Sequence, residues 1–219
     1  MNRTGFSVEE MRAMLRHVAV RMVAARDELT QADKAVGDGD HGVGMARGFE
    51  AVGVMLEGRT FASIDELLKS VGNTLLAEVG GAAGAVFGTL FRGGAKQLVG
   101  QSQWDGVTLA KFLADGLQAV QERGKAKPGD KTMIDALAPA ASEAAKLVAD
   151  PAAQQLPLGE WHSAVAKAAR EGMEQTKSMV ARIGKAKTLG ERSLGHADPG
   201  ALSQFLILEA MAEFVNQVG

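Results

Sequence analysis

A chain of 219 residues, 46% hydrophobic and 23% charged, is long enough to bury one sizeable core and has the composition of an ordinary soluble globular protein. A formal net charge of -2 with no basic run excludes a general electrostatic attraction to nucleic acid or to an anionic membrane. The absence of cysteine excludes disulfides, thiolate metal sites and cysteine nucleophiles, and is compatible with a reducing cytosol.

Residues 1–10 are polar and acidic, without the apolar centre of a signal peptide, and no apolar run reaches transmembrane length, so a cytoplasmic location is expected. Ser7-Val-Glu-Glu10 is a capping box that predicts a helix running to about Leu29. After a Gly- and Asp-rich turn, a helix is predicted over 43–56. Ser63-Ile-Asp-Glu66 repeats the capping box ahead of Leu67, Leu68, Val71, Leu75 and Leu76. Further helices are predicted over 84–99, 107–123, 134–148 and 158–181, the second from the spacing of Leu109, Phe112, Leu113, Leu117 and Val120. Asp198-Pro199 opens the last helix, with proline at its first position. No convincing strand alternation is present. The expectation is an all-α fold in one domain over 1–219, an eight-helix antiparallel up-and-down barrel or bundle. In such an order alternate loops share one rim. The segments 37–44, 79–84, 123–132 and 183–200, all glycine-rich or charged, fall at alternate turns and predict a site there. Loops are rich in Gly and Asp for local reasons too, and that reading stands beside it.

Within the first rim loop, Asp33, Asp38 and Asp40 have the spacing D-x4-D-x-D beside glycines and His41. Crowded carboxylates repel unless a cation lies between them, and oxygen ligands suit Mg²⁺ or Ca²⁺. A solvated acidic turn is the alternative. An EF-hand is excluded, because from Asp38 its fifth-position ligand falls on Gly42 and its bidentate Glu on Phe49. His41 is placed to contact phosphate or to bond a local carboxylate, whereas His17 and His162 lie in helical patterns and read as packing or surface residues. Gly80-Gly-Ala-Ala-Gly-Ala-Val-Phe-Gly88 leads into a helix whose free N–H groups attract phosphate, although small residues also permit close helix packing. Lys125-Ala-Lys-Pro-Gly-Asp-Lys-Thr132 is a helix-start turn in which Asp130 or Thr132 is expected to cap. The 184–200 connection, with three bases and His196, is long enough to carry function. The ten Met residues read as core, and a helix ring could also enclose a lipid-like molecule.

Taken together, Gly37-Asp-Gly-Asp-His-Gly42 with Met45-Ala-Arg-Gly48, Gly80-Gly-Ala82 with Gly88-Thr89, Pro128-Gly-Asp-Lys-Thr-Met133 and Leu189-Gly-Glu-Arg-Ser-Leu-Gly-His-Ala-Asp-Pro-Gly-Ala201 resemble the ADP-binding L subunit of dihydroxyacetone kinase. The resemblance spans nearly the whole chain. It implies a barrel of eight antiparallel helices with ADP or ATP and two Mg²⁺ ions at one end. Asp33, Asp38 and Asp40 would ligate the metal, while His41, Gly42, Val43, Gly44, Ala82, Ala83, Gly124, Met133, Lys185, Asp198, Pro199 and Gly200 would line the nucleotide. No catalytic residue beyond this metal–nucleotide site is expected here. A separate K subunit would bind dihydroxyacetone or a related short ketose, and the donor would be ATP or an ADP recharged by a phosphocarrier M subunit. A homodimer remains open, and neither nucleic acid nor membrane is an expected partner. The chain departs from the family at Ala83 (usually Ser), Gly44 (usually Asn or Thr), Lys185 (Arg) and Lys187 (Ser), which implies altered substrate or partner specificity, with reduced activity as the alternative. The alternative is a nucleotide-loaded regulatory or interaction module without turnover.

Overall fold

The computed structural model describes residues 3–218. A three-residue strand, β1 (Gly5–Ser7), leads into α1 (Val8–Ala24), and Ser7 and Glu10 make the reciprocal bonds of the capping box. These bonds satisfy two backbone donors that a helix start leaves without partners.

The helix expected to reach Leu29 ends at Ala24, and α2 (Arg26–Val36) starts one residue later. At Ala25 (φ −79, ψ 2) the backbone leaves helical values, although i→i−4 bonds from Ala25 to Arg21 and from Leu29 to Ala25 still span the junction. Buried Met22 and Leu29 keep the apolar period across the break, so periodicity does not reveal it. Asp27 and Glu28 occupy the first turn of α2, where negative charge favours a helix start.

The remaining elements are α3 (His41–Glu57), α4 (Ile64–Glu78), α5 (Gly81–Gly94), β2 (Gln103–Asp105), α6 (Gly106–Gly124), α7 (Ile134–Ala149), α8 (Leu158–Gln175) and α9 (Pro199–Val218). The expected helix over 158–181 is shorter, giving way to a 3₁₀ turn at Thr176–Ser178 and later a 3₁₀ stretch at Lys185–Ser193. At the second capping site Ser63 accepts the Glu66 N–H, but Glu66 reaches back to the Ala62 N–H rather than to Ser63.

The fold is all-α. α1 packs on α3, each helix from α3 to α9 packs on the next, and α9 returns to α1, so eight helices close a ring with α2 lying on α3 and α9. Neighbours run antiparallel: Arg12 and Arg16 near the start of α1 meet Leu56 and Glu57 at the end of α3, and Phe6, just before α1, meets Phe214 near the end of α9. The core inside is continuous, from Phe6 and Met11 through Phe49, Phe87 and Phe112 to Met211, and seven of its members are methionines.

At one end β1 pairs antiparallel with β2, Phe6 facing Trp104. This pair, which sequence alternation did not signal, is too short to show a period of two. Trp104 is fully buried and donates to His162 Nε2 at 3.1 Å; burial pushes the His162 imidazole down to about 3. His17, half-buried, bonds Glu213 instead. No described helix is long and apolar enough to cross a membrane.

Candidate functional site

The opposite end carries the four loops expected to share a rim, and specific bonds join them. Asp33 sits in the last turn of α2 and is buried; Asp38 and Asp40 follow on the exposed turn to α3. The three offer carboxylate oxygens within 4.8 Å of one another. Gly37 makes this possible: a Cβ there would lie 2.3 Å from Asp33 Oδ1. Gly42 is equally constrained, since a Cβ would lie 2.2 Å from the Arg26 carbonyl oxygen, so glycine lets α3 cross α2 at backbone contact.

The charge between the acids comes from Lys185, distant in sequence. Its Nζ donates to Asp38 Oδ1 and Oδ2 at 2.8 and 2.7 Å and to Asp40 Oδ2 at 3.2 Å. Those bonds hold the Asp38 carboxyl below its ordinary value and raise the Lys185 ammonium. A cation thus already sits where the carboxylates converge. All-oxygen donors, two of them exposed, fit a hard divalent ion with open positions for water and phosphate.

His41 begins α3, its N–H donating to Asp33 Oδ2 at 3.2 Å and its Nε2 lying 2.7 Å from Ser203 Oγ on α9. Burial lowers the imidazole, against the pull of Asp33 and Asp40, which favours the neutral ring. Its ring also lies 6.4 Å from that of Phe87 on α5. Val43 is exposed on α3, and Gly44 lies against the end of α4: a Cβ there would be 2.9 Å from the Val79 carbonyl oxygen. The glycine departure at 44 is therefore part of this chain's own packing. Arg47 donates to the carbonyls of Glu78 and Val79, completing the join to the second loop. There Gly80 precedes α5, whose first turn carries exposed Ala82 and half-buried Ala83.

The third and fourth loops meet through Arg182 N–H, which donates to the Asp130 carbonyl, and through Gly200, which lies against buried Met133. Asp198 accepts the Ala201 N–H at 2.8 Å and starts α9 ahead of buried Pro199. Burial, helped by the nearby Asp135 charge, pushes the Asp198 carboxyl up to about 7. Gly124 ends α6 exposed, with open space where a Cβ would stand, and among the described residues no hydrogen bond joins it to the acidic loop. Thr132 caps the start of α7 as expected, its Oγ1 accepting the Ile134 N–H at 3.2 Å while Asp135 accepts the Thr132 N–H at 2.8 Å in return. Asp135 also accepts the Gly129 N–H, and Asp130 accepts the Lys127 N–H within its own turn instead of capping. Lys187 is exposed, and His196 contributes a carbonyl rather than its ring.

Sequence reasoning missed Ser203, Thr176 and Lys131. Ser203 lies on the inner face of an apolar helix, Thr176 Oγ1 accepts the Asp198 N–H, and Lys131 is buried in a charged turn. A local signal for Ser203 is its place among the buried residues of a mostly apolar helix, where Gln204 beside it is buried as well. A concavity of about 480 Å³ lined by Lys69, Asn73, Thr89, Arg92, Gly93 and Arg123 lies on the α4–α6 wall, away from the acids.

Residues 35–213 match the DAK2 domain model. The chain is 38% identical over 184 residues to the PEP-dependent dihydroxyacetone kinase, ADP-binding subunit DhaL, of Escherichia coli, covering 84% of this chain and 86% of that one. It is 36% identical to the corresponding subunit of PEP-dependent dihydroxyacetone kinase 1 of Listeria innocua, covering 84% and 85% respectively. Among solved structures, the dihydroxyacetone kinase from C. freundii in complex with AMP-PNP and Mg²⁺ superposes with a TM-score of 0.71 at 25% identity, over 92% of this chain and 33% of that one. The chain belongs to the DAK2 domain family and is similar over most of its length to ADP-binding subunits of dihydroxyacetone kinases.

Proposed function

We propose that this DAK2-domain chain holds a Mg²⁺-bound adenine nucleotide on its rim and positions the terminal phosphoryl group for transfer to dihydroxyacetone, or a related short ketose, on a separate K subunit. The observation that carries the reading is the convergence of Asp33, Asp38 and Asp40, two of which already bond a cation delivered from a remote loop. The ADP of the relatives' names and the AMP-PNP and Mg²⁺ of the structural neighbour support the ligand class.

Bound Mg²⁺ would neutralise charge on the phosphate oxygens, the main demand of phosphoryl transfer. The chain's own residues divide the remaining work. Asp33, fixed by the His41 N–H, would hold one ligand oxygen in place, and exposed Asp38 and Asp40 would supply the others. Lys185 exchanges its carboxylate partners for phosphate oxygens, as a point charge without arginine's fork. The N–H groups of Gly42 and Val43 in the first turn of α3, and of Ala82 and Ala83 in the first turn of α5, face negative charge favourably. Met133 and Gly200, which lie against each other, and neighbouring Pro199 offer an apolar floor to a purine. Neutral His41 orients by hydrogen bonding rather than by charge. No nucleophile on this chain is needed.

Incubation with a ketose-loaded K subunit tests the reading, with Mg·ATP in one arm and a charged phosphocarrier M subunit in the other. Ketose phosphate formed in either arm supports it and names the donor. Stable association with the K subunit and nucleotide, without transfer in any arm, supports instead a regulatory module. That second reading is favoured by Gly44 and Ala83, which leave two positions without polar side chains.

A further inference from the structure

Lys131 is 1% exposed, yet it makes no ion pair among the described residues. It lies in the turn before α7 with φ +61, and its ammonium is surrounded by backbone carbonyls: Thr176 at 2.8 Å, Met179 at 3.2 Å, Ser193 at 2.7 Å and His196 at 2.7 Å. An ammonium has three protons, so four oxygens exceed what directed hydrogen bonds alone would gather. Rings of carbonyls at such distances are how proteins replace the hydration shell of a monovalent ion.

The four carbonyls come in two pairs from opposite ends of one segment. Thr176 and Met179 lie where α8 ends, and Ser193 and His196 lie where the chain returns towards α9. Between them runs Lys185, which reaches Asp38 and Asp40. The same base is tied by Gly195 N–H to the Lys177 carbonyl at 2.7 Å, by Ala181 N–H to Ser193 Oγ at 3.0 Å and by Asp198 N–H to Thr176 Oγ1 at 3.0 Å. Without a cation at the centre, four carbonyl dipoles would face one another in a largely buried space, a costly arrangement.

We infer that Lys131 is a positioning residue whose ammonium serves as a tethered monovalent cation, closing the base of the 176–196 segment and thereby setting Lys185 over the acidic cluster. The claim about the segment stands on the carbonyl cage alone; its consequence for nucleotide rests on the proposed function.

Lys131→Gly is the direct test, because glycine accepts the positive φ and leaves the cage open. Hydrogen exchange across 176–198 is measured in sodium chloride, ammonium chloride and tetramethylammonium chloride at equal ionic strength. Exchange at the amides of Ala181, Gly195 and Asp198 is expected to quicken by about tenfold or more, the loss of one charge-assisted hydrogen bond. Ammonium should restore protection saturably and tetramethylammonium, too large for the cage, should not. If the variant folds only in ammonium, the proposal is supported. Unchanged exchange, or a loss that ammonium does not repair, overturns it. Should Lys131→Gly fold in no salt, Lys131→Met decides: native exchange there means that bulk rather than charge holds the segment, and fast exchange confined to 176–198 means that charge does. None of these readings needs nucleotide, so they survive failure of the proposed function. If that function holds, KM for Mg·nucleotide rises in Lys131→Gly and falls again with ammonium, while the wild type is indifferent to ammonium.

Discussion

Single residues divide according to whether their role is local. The convergence of Asp33, Asp38 and Asp40 was legible because acids brought together by one short stretch of chain leave their spacing in the sequence. Lys185 and Lys131 were not legible in their observed roles, since each acts on partners 45 or more residues away and the sequence around each reads as an ordinary charged turn. Asp198 offers a test at this scale. Its folded value of about 7 lies above the ordinary 3.8, so the folded state holds the proton more tightly. Its contribution to stability is therefore present at low pH and lost as pH rises from 3.8 through about 7. Asp198→Asn keeps an acceptor for the Ala201 N–H and removes the titration. Thermal midpoints of the variant, measured across that range, should gain on the wild type as pH rises and run level above it. Parallel curves would show that Asp198 titrates normally.

Among the elements, starts were read better than ends. Ser7 and Ser63 cap where expected because capping is chemistry of adjacent residues, whereas the break at Ala25 and the early end of α8 depend on what the next segment packs against. The crossing of α2 and α3 is decisive for the site, as it brings Asp33 beside the turn that carries Asp38 and Asp40. Gly42→Ala would push a methyl group into the Arg26 carbonyl and the Thr30 hydroxyl, neither of which can retreat without moving α2. A loss of about 1–3 kcal/mol in denaturant unfolding is expected, typical of overpacking, together with weaker metal binding. Unaltered stability with unaltered metal affinity would mean that the crossing has slack.

For the whole molecule, a ring of eight helices with its special loops at one end followed from helix count and short connections, because up-down order forces alternate loops together. The β1–β2 pair was invisible for its length, and the Trp104–His162 contact for its distance. That contact makes the far end acid-sensitive. His162 is depressed from 6.5 to about 3, so its contribution is complete above 6.5 and is lost as pH falls towards 3. His162→Gln should flatten the decline of wild-type stability over that window in denaturant melts taken at successive pH values; an equally steep decline would place the acid sensitivity elsewhere. The central claim, a metal-dependent nucleotide site on the rim, is tested most directly by calorimetric titration of ADP into stripped protein with and without Mg²⁺, for the wild type and Asp38→Ala. The account predicts binding that requires Mg²⁺ in the wild type and is abolished in the variant with its helical spectrum intact. Equal binding by both proteins, or binding indifferent to Mg²⁺, would contradict it.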